Sequence, residues 1–194
     1  MTRKKTLITI FMAVCVMMLA AMLIACSGGG AAGEVKSELE KLKASETAPA
    51  SLAAVKEDLP EASADDFDSF LAKVRDFDYK ILGSEVKKDE EGEYTLVTVK
   101  ITSYEFGREY LSTWKDYLKT HKNASAEDAE GGEFYTELFS RLAGLGKKQH
   151  VSYVDVKAAE AEDGSWITDI QTNEKLQDAL FGGMISEMKD LADE

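Results

Sequence analysis

The residue with the clearest chemical potential is a cysteine near the N-terminus. Cys26 follows an apolar stretch from Leu7 to Ile24 that has Thr9 as its single polar residue, and the small Ala25 precedes the cysteine directly. A basic cluster, Arg3-Lys4-Lys5, lies before the apolar stretch. A basic start, an apolar centre and small residues at the end are the parts of an export signal. The pattern therefore predicts an export signal that ends at a nucleophilic thiol.

The tetrapeptide Leu23-Ile24-Ala25-Cys26 resembles the lipobox of bacterial lipoproteins. The resemblance implies that the Cys26 thiol receives a diacylglyceryl group and that a peptidase cuts between Ala25 and Cys26. Residues 1–25 would then be a signal peptide, and lipid would hold the mature chain on the extracytoplasmic side of the cell membrane. The alternative is an uncleaved anchor, because the apolar stretch is long for a signal peptide and near the lower limit for a span.

Beyond this segment, no arrangement of residues is typical of a catalytic or metal site. His121 and His150 are the two histidines, and neither belongs to an HExxH or a Ser/His/Asp pattern. Acidic clusters such as Glu160-Glu162-Asp163 lack the alternating ligands and the closing glutamate of a calcium loop. We therefore predict no metal and no cofactor. A pair of carboxylates brought together in space for acid–base work stays open as an alternative.

A helix predicted over Glu105–His121 carries aromatic side chains at helical spacing. They are Phe106, Tyr110, Trp114 and Tyr117. Because tyrosine and tryptophan combine apolar area with a polar group, this stripe is a candidate pocket wall. The alternative interpretation is ordinary core packing.

The charge of the chain excludes one class of function. The sequence has 23 basic and 36 acidic residues, a net charge of −13, and cleavage before Cys26 would bring the net charge to −16. Nucleic-acid binding needs a basic surface, so we predict none. Anionic lipid headgroups would also repel such a surface, which makes lipid on Cys26 the predicted membrane contact.

The remaining chain predicts a tether followed by one domain. Residues 26–33 contain the glycine-rich SGGGAAG and are the predicted flexible tether, and residues 34–194 are the predicted domain. One predicted helix is capped by Asp65 or Ser63 and has Phe67, Phe70, Leu71 and Val74 as its buried stripe. Helical periodicity predicts further helices over Glu34–Ala44, Leu52–Leu59, Glu105–His121, Phe134–Leu145 and from Thr172 or Asn173 to Leu191. The last of these is interrupted at Gly182-Gly183, where we expect a kink or a close backbone contact.

Alternating apolar residues predict two hairpins. Their strands are Tyr79–Lys87 with Tyr94–Tyr104, and Lys148–Glu160 with Ser165–Gln171. An acidic loop over Asn123–Gly132 separates two of the helices. The order predicts an α+β fold, in which a curved four-stranded antiparallel sheet packs against helices on one face and forms a cone with a concavity.

Several short stretches resemble small lipoproteins of Gram-positive bacteria, mostly Firmicutes. They are residues 77–81 (FDYKI), 97–102 (VTVKIT), 164–167 (GSWI) and 173–184 (NEKLQDALFGGM). The soluble part of those proteins resembles the NTF2-like, or cystatin-like, α+β cone. The resemblance implies this fold over residues 34–194 and no established activity.

Three functions follow as hypotheses. The first is a non-enzymatic cell-envelope module that binds a small ligand or an envelope protein. The second is a small enzyme with a carboxylate/Tyr or carboxylate/His pair in the cone, and a cone filled by Phe and Leu would argue against it. The third is a scaffold or dimerisation module, which an exposed apolar patch on the outside of the sheet would favour. The sequence does not determine the oligomeric state.

Overall fold

The computed structural model describes residues 30–45, 63–90, 92–121 and 132–193. Cys26, the predicted helix at 52–59 and all but the last residue of the predicted loop at 123–132 lie outside these ranges. The helices are α1 Gly30–Ala44, α2 Ala64–Arg75, α3 Phe106–Thr120, α4 Gly132–Gly144, α5 Glu174–Leu180 and α6 Met184–Asp193. The strands are β1 Asp78–Asp89, β2 Gly92–Tyr104, β3 Lys148–Glu160 and β4 Trp166–Thr168.

The four strands form one antiparallel sheet in the order β1-β2-β3-β4, which confirms the two predicted hairpins and the α+β class. Successive side chains of a strand point to opposite faces, so one face of this sheet can be buried and the other wet. The face that packs on the helices is called the inner sheet face. Its central residues are Val97, Val99, Ile101, Val154 and Val156. The opposite face is called the outer sheet face.

Large aromatic side chains from the helices cover the inner sheet face. Phe70 of α2 is fully buried and contacts Phe106, Phe139 and Phe181 with ring centroids 5.1, 5.7 and 6.2 Å apart. Leu39 of α1 is also fully buried. Aromatic pairs at these separations are favourable beyond the area they bury. The core of the described residues therefore lies between the inner sheet face and the helices, and Phe and Leu side chains fill it.

Helix α1 begins at Gly30, four residues earlier than predicted and inside the stretch predicted as tether. Ala31, Val35 and Leu39 recur every four residues and are buried, so one stripe of the helix faces the sheet. Ala31 and Ala32 are strong helix formers, which lets the helix extend into the glycine-rich stretch. Three residues, 27–29, therefore separate Cys26 from the first helical residue.

Strand β4 is shorter than predicted, with three residues instead of seven. The backbone N–H of Asp169 donates to the carbonyl of Lys157 (3.0 Å), as in a β-ladder. The return bond is different, because the N–H of Lys157 donates to the side-chain carboxylate of Asp169 (2.9 Å) and not to a backbone carbonyl. A side chain thus replaces the next bond of the β-ladder, and the strand ends at Thr168.

The predicted last helix is two helices, α5 and α6, and the break lies at the two predicted glycines. Gly182 and Gly183 have φ of +54° and +81°, values that favour glycine. The carbonyl of Gly182 accepts the N–H of Gly107 (3.0 Å), and a Cβ on Gly182 would lie 1.8 Å from the carbonyl oxygen of Tyr104. The close backbone contact confirms the expectation for this pair and explains why no side chain fits.

Candidate functional site

The aromatic stripe of α3 packs against the neighbouring helices. Phe106 is fully buried against Phe70, whereas Tyr110, Trp114 and Tyr117 surround Phe134 of α4 with ring centroids 6.0, 5.7 and 5.6 Å apart. The structure thus brings three of the four together and places Phe106 elsewhere in the core. Burial raises the pKa of Tyr110 to about 12, so its hydroxyl stays protonated. These are contacts of helix packing, and the pocket wall stays a prediction.

A carboxylate/tyrosine pair exists at the end of the sheet where β1 starts and β2 ends. The Tyr104 hydroxyl donates to Asp76 (2.8 Å), and the Lys148 ammonium donates to Asp76 (2.6 Å) and to Asp78 (3.3 Å). This cluster cannot be recognised in the sequence, because Asp76 and Lys148 are 72 residues apart. The available signal was the charged residues at the start of two predicted strands, Asp76 and Asp78 before Tyr79 and Lys148 as the first residue of the other.

The pKa shifts in this cluster indicate a structural role. The hydrogen bond from Lys148 lowers the pKa of Asp76, and burial together with the bond to Asp76 raises the pKa of Tyr104. Burial alone would lower the pKa of Lys148, but its bonds to Asp76 and Asp78 outweigh that effect and raise it. Each shift moves a group away from neutral pH, whereas a general acid or base needs a pKa near the working pH.

The two histidines are placed as predicted at the ends of elements. His121 is the C-cap of α3, is exposed, and stacks on Tyr117 with ring centroids 4.2 Å apart. His150 lies near the start of β3 and shares a 2.8 Å hydrogen bond with Ser152. A Cβ on Gly183 would lie 3.2 Å from the His150 ring, so the imidazole packs on the α5–α6 junction. Within the described ranges, no three His, Cys, Asp or Glu side chains form a metal-binding group.

Four of the five exposed large apolar side chains of the described residues lie on the other side of the sheet; the fifth is Val86, which is opposite Thr95 near the end of β1. The strand register places Thr102 beside Val151, Lys100 beside Tyr153 and Ala159 beside Ile167 on the outer sheet face. Among the large apolar side chains of this face, the exposed fractions are 48% for Leu82, 45% for Val151, 65% for Tyr153 and 64% for Ile167. An apolar surface that extends over several strands is typical of an interaction site.

A β-bulge in the edge strand β1 shapes part of the outer sheet face. The pairing of β1 with β2 shifts between Ile81 and Gly83, so Leu82 is an extra residue without a partner on β2. Gly83 has no side chain to fill the space beside Thr98, and a depression of about 310 Å³ results. Its lining residues are Leu82, Gly83, Ser84, Glu85, Leu96, Thr98 and Asp155. The sequence signal for this feature was the isolated glycine inside a strand pattern.

The charges on the outer sheet face are unevenly paired. Its carboxylates have partners in Asp78–Lys148 (3.3 Å), Glu85–Lys87 (2.6 Å), Asp89–Lys157 (3.1 Å) and Asp155–Thr98 (2.6 Å). Lys80 and Lys100 lie directly opposite each other on β1 and β2, and neither has an acidic partner within the described part of the chain. Like charges in directly opposed positions destabilise a sheet. The face therefore carries two adjacent lysines, called here the lysine pair, in a chain of net charge −13. The carboxylate of Asp155, which is bonded to the neutral Thr98 hydroxyl, lies on the same face.

Comparisons with known proteins assign no family. No protein-family model matches the chain, and no curated protein matches it. Among solved structures, YcdA of Bacillus subtilis, a candidate lipoprotein, aligns over 88% of this chain at 18% sequence identity with a TM-score of 0.35. This chain spans about half of that protein (54%). Structural similarity with a TM-score this low supports no conclusion about fold or activity.

Proposed function

We propose that this chain is a lipid-anchored, non-enzymatic module that binds a partner protein through the outer sheet face. One observation carries the proposal. The inner sheet face is covered by buried side chains, whereas Leu82, Val151 and Tyr153 are exposed on the opposite face, and Ile167 is exposed on the same face nearer the end of β3. The pKa shifts of Asp76, Tyr104 and Lys148 argue against acid–base catalysis by that carboxylate/tyrosine pair, and an exposed apolar surface favours association with a protein.

The lysine pair on the outer sheet face defines the chemistry of the partner. Lys80 and Lys100 lie beside Tyr153 and Leu82, so a complementary surface would present carboxylates together with apolar side chains. Such a surface would relieve the repulsion between the two lysines. Electrostatic complementarity of this kind sets specificity and the rate of association. The partner is therefore a protein with an acidic and apolar patch.

The lipid anchor is tested by matched cysteine variants. Cys26→Ala should abolish incorporation of labelled palmitate and should leave an unprocessed precursor, because the thiol is the acceptor of the lipid. Cys15→Ala, which removes the other cysteine, should be processed and acylated normally. Globomycin treatment should reproduce the precursor of the Cys26 variant. Normal processing and acylation of the Cys26→Ala chain would overturn the lipid anchor.

The binding surface is tested by photo-crosslinking in cells. A benzophenone amino acid at Tyr153 should form a defined adduct, and the same probe at Ser140, which is exposed on α4, should not. In the Tyr153 chain, the double change Lys80→Glu and Lys100→Glu should reduce the adduct at least tenfold, because it reverses the charge that the partner recognises. Equal adducts from both probe positions, or no effect of the charge reversal, would contradict the proposed surface.

A further inference from the structure

Strand β1 forms one edge of the sheet and is long for an edge strand. Its 12 residues pair with β2 on one side, and within the described ranges no strand pairs with its other side. Most of its side chains are exposed. The backbone N–H and C=O groups of such an edge can pair with a strand of another chain. Charged side chains and bulges commonly block this pairing, so their arrangement on β1 distinguishes a blocked edge from a binding edge.

The bulge at Leu82 changes which side chains of β1 share a face. Before the bulge, Asp78 and Lys80 lie opposite even-numbered residues of β2, which belong to the outer sheet face. After the bulge, Glu85 and Lys87 also lie opposite even-numbered residues of β2, so they point to the same face. Along this face the edge therefore presents acid, base, bulge, acid and base. An antiparallel copy of the strand presents the same order reversed, which is complementary in charge.

One register of two antiparallel β1 strands pairs all four of these charges. It places Asp78 opposite Lys87 of the second copy and Lys80 opposite Glu85 of the second copy. Each pair occurs twice, because a two-fold axis relates the copies. A shift by two residues in one direction would place Lys80 opposite Lys87, and the reverse shift would place Asp78 opposite Glu85. Opposite charges across an antiparallel pair stabilise it and like charges destabilise it, so the first register is favoured.

The same register also matches the shape of the edge. The exposed Leu82 would lie opposite Gly83 of the second copy, which lines the depression beside Thr98. A Cβ on Gly83 would have no atom within 4 Å, so the Leu82 side chain of the other copy has room there. On the inner side, the exposed Val86 would lie opposite Tyr79 of the second copy. An aromatic residue opposite a β-branched residue is a favourable cross-strand pair.

We infer that two copies of this chain associate through β1 as antiparallel strands, with Leu82 of each copy opposite Gly83 of the other. The two sheets join into one sheet, and residues 78–87 of each copy extend side by side over about 34 Å. The charges and the bulge, which commonly block an edge, here select a second copy of the same strand. The inference concerns the edge of the sheet and does not depend on the partner proposed for the outer sheet face.

Cysteine crosslinking tests the register. Two full-length chains with different tags, one with Lys80→Cys and one with Glu85→Cys, are expressed together, and the cells are treated with a mild oxidant. The two Cα atoms should lie about 5 Å apart, within disulfide range, so a dimer with both tags should form. Lys80→Cys with Asp89→Cys is the matched control, because four residues along the strand add about 14 Å. Chains without these changes measure crosslinking through Cys15 and Cys26. Equal or greater crosslinking of the control pair would overturn the register.

Charge reversal tests the recognition between the copies. A benzophenone amino acid at Val86 should give an adduct of twice the chain mass, because Tyr79 of the second copy lies opposite it. Lys80→Glu and Glu85→Lys should each reduce this adduct at least about fivefold, since each creates two like-charged pairs. Co-expression of the two variants should restore the adduct, because every pair in the mixed dimer is again opposite in charge. Lys88→Glu, an exposed position of β1 on the inner side, should leave the adduct unchanged.

The outcomes separate this inference from the proposed function. Absence of the Val86 adduct in the otherwise unchanged chain, or failure of co-expression to restore it, would overturn the association through β1. Circular dichroism of each variant shows whether a lost adduct reflects lost folding. Glu85→Lys leaves the lysine pair intact, so it should remove the Val86 adduct and retain the adduct from the Tyr153 probe. Loss of the Tyr153 adduct with a normal Val86 adduct would contradict the outer-face partner alone.

Discussion

Two half-buried carboxyls beside β4 are the residues whose ionisation opposes folding. Burial raises the pKa of Glu38 despite the hydrogen bond from Thr168, and the nearby Glu34 contributes in the same direction. Burial also raises the pKa of Asp169, although Asn173 and the Lys157 backbone donate to it. The folded state therefore binds these protons more tightly than the unfolded state, and stability falls as the two groups ionise.

We predict that Glu38→Gln reverses part of this pH dependence. The contribution of Glu38 to stability is full below its ordinary pKa of 4.5 and is lost as the pH rises through the higher folded value. Relative to the unchanged protein, the variant should therefore gain stability as the pH rises above about 4.5. Urea unfolding between pH 4 and pH 8 measures the difference, and a gain that appears only as the pH falls would contradict the assignment.

Asp163 provides a control of opposite sign. Hydrogen bonds from the Ser165 hydroxyl (2.6 Å) and N–H (3.0 Å) lower its pKa. Its contribution to stability is present above the ordinary pKa of 3.8 and is lost as the pH falls through the lower folded value. Asp163→Asn should therefore be less stable than the unchanged protein at neutral pH, and the two curves should converge in acid.

Among the elements, α5 depends most clearly on its first residue. Asn173 is the N-cap, and its side-chain oxygen accepts the N–H of Leu176 (3.1 Å). Its amide group also donates to the carbonyl of Asp155 on β3 (2.9 Å) and to the carboxylate of Asp169 (3.1 Å). One side chain thus starts a seven-residue helix and joins it to the sheet. The prediction that Thr172 or Asn173 caps the helix is confirmed for Asn173.

We predict that Asn173→Ala lowers the free energy of unfolding by about 1–2 kcal/mol, because the cap, the bond to Asp155 on β3 and the bond to Asp169 are lost together. Thr172→Ala is the matched control. Thr172 is exposed and makes a long bond of 3.3 Å to the carbonyl of Asp169, so its removal should change stability by less than about 0.5 kcal/mol. Urea midpoints of the two variants give the comparison, and equal losses would contradict the special role of Asn173.

At the scale of the whole molecule, the inner sheet face and the helices share one buried cluster. Trp166 on β4 and Trp114 on α3 both pack against this cluster, from the sheet side and from the helix side. Within this cluster, the ring of Phe70 on α2 contacts the rings of Phe106, Phe139 and Phe181, and so links α2 to α3, to α4 and to the end of α5. A shared cluster of this kind makes the folding of its parts interdependent.

We predict that the two tryptophans report the same unfolding transition. Trp114→Phe leaves Trp166 as the single fluorophore, and Trp166→Phe leaves Trp114. After correction for the stability of each variant by circular dichroism, fluorescence and circular dichroism midpoints should coincide within each variant, as for a single domain. A fluorescence midpoint clearly separate from the circular dichroism midpoint in either variant would show that sheet and helices unfold independently. The single domain predicted over residues 34–194 would then be wrong.

Membrane attachment and the fold class are also properties of the whole molecule. Within the described ranges, no helix is long and apolar enough to cross a bilayer. Cys26 and Ala25 lie outside those ranges, so the lipid anchor rests on the sequence pattern at residues 1–26. The NTF2-like assignment likewise stays a prediction, while the coarser α+β class with a four-stranded antiparallel sheet is confirmed.

The sequence by itself determined the elements and the faces that they bury. Periodicity is local, so β3 was predicted over the residues that form it, Lys148–Glu160, and the break at Gly182-Gly183 was expected from two adjacent glycines. The sequence also predicts the export signal and the lipid on Cys26, because their pattern is linear, and both stay predictions. The start of α1 was missed by four residues, since glycine and alanine in one short stretch favour opposite outcomes.

Only the tertiary structure decided which distant residues meet and which face of the sheet is free. The Asp76–Lys148 bond joins residues 72 positions apart. Lys80 lies opposite Lys100 because of the register of β1 on β2, and this register shifts at the Leu82 bulge of the same strand. Such pairings result from many weak long-range contacts that are satisfied together, and no single stretch of sequence encodes them. For the same reason, the aromatic stripe of α3 could be recognised in the sequence, but its partner Phe134 could not.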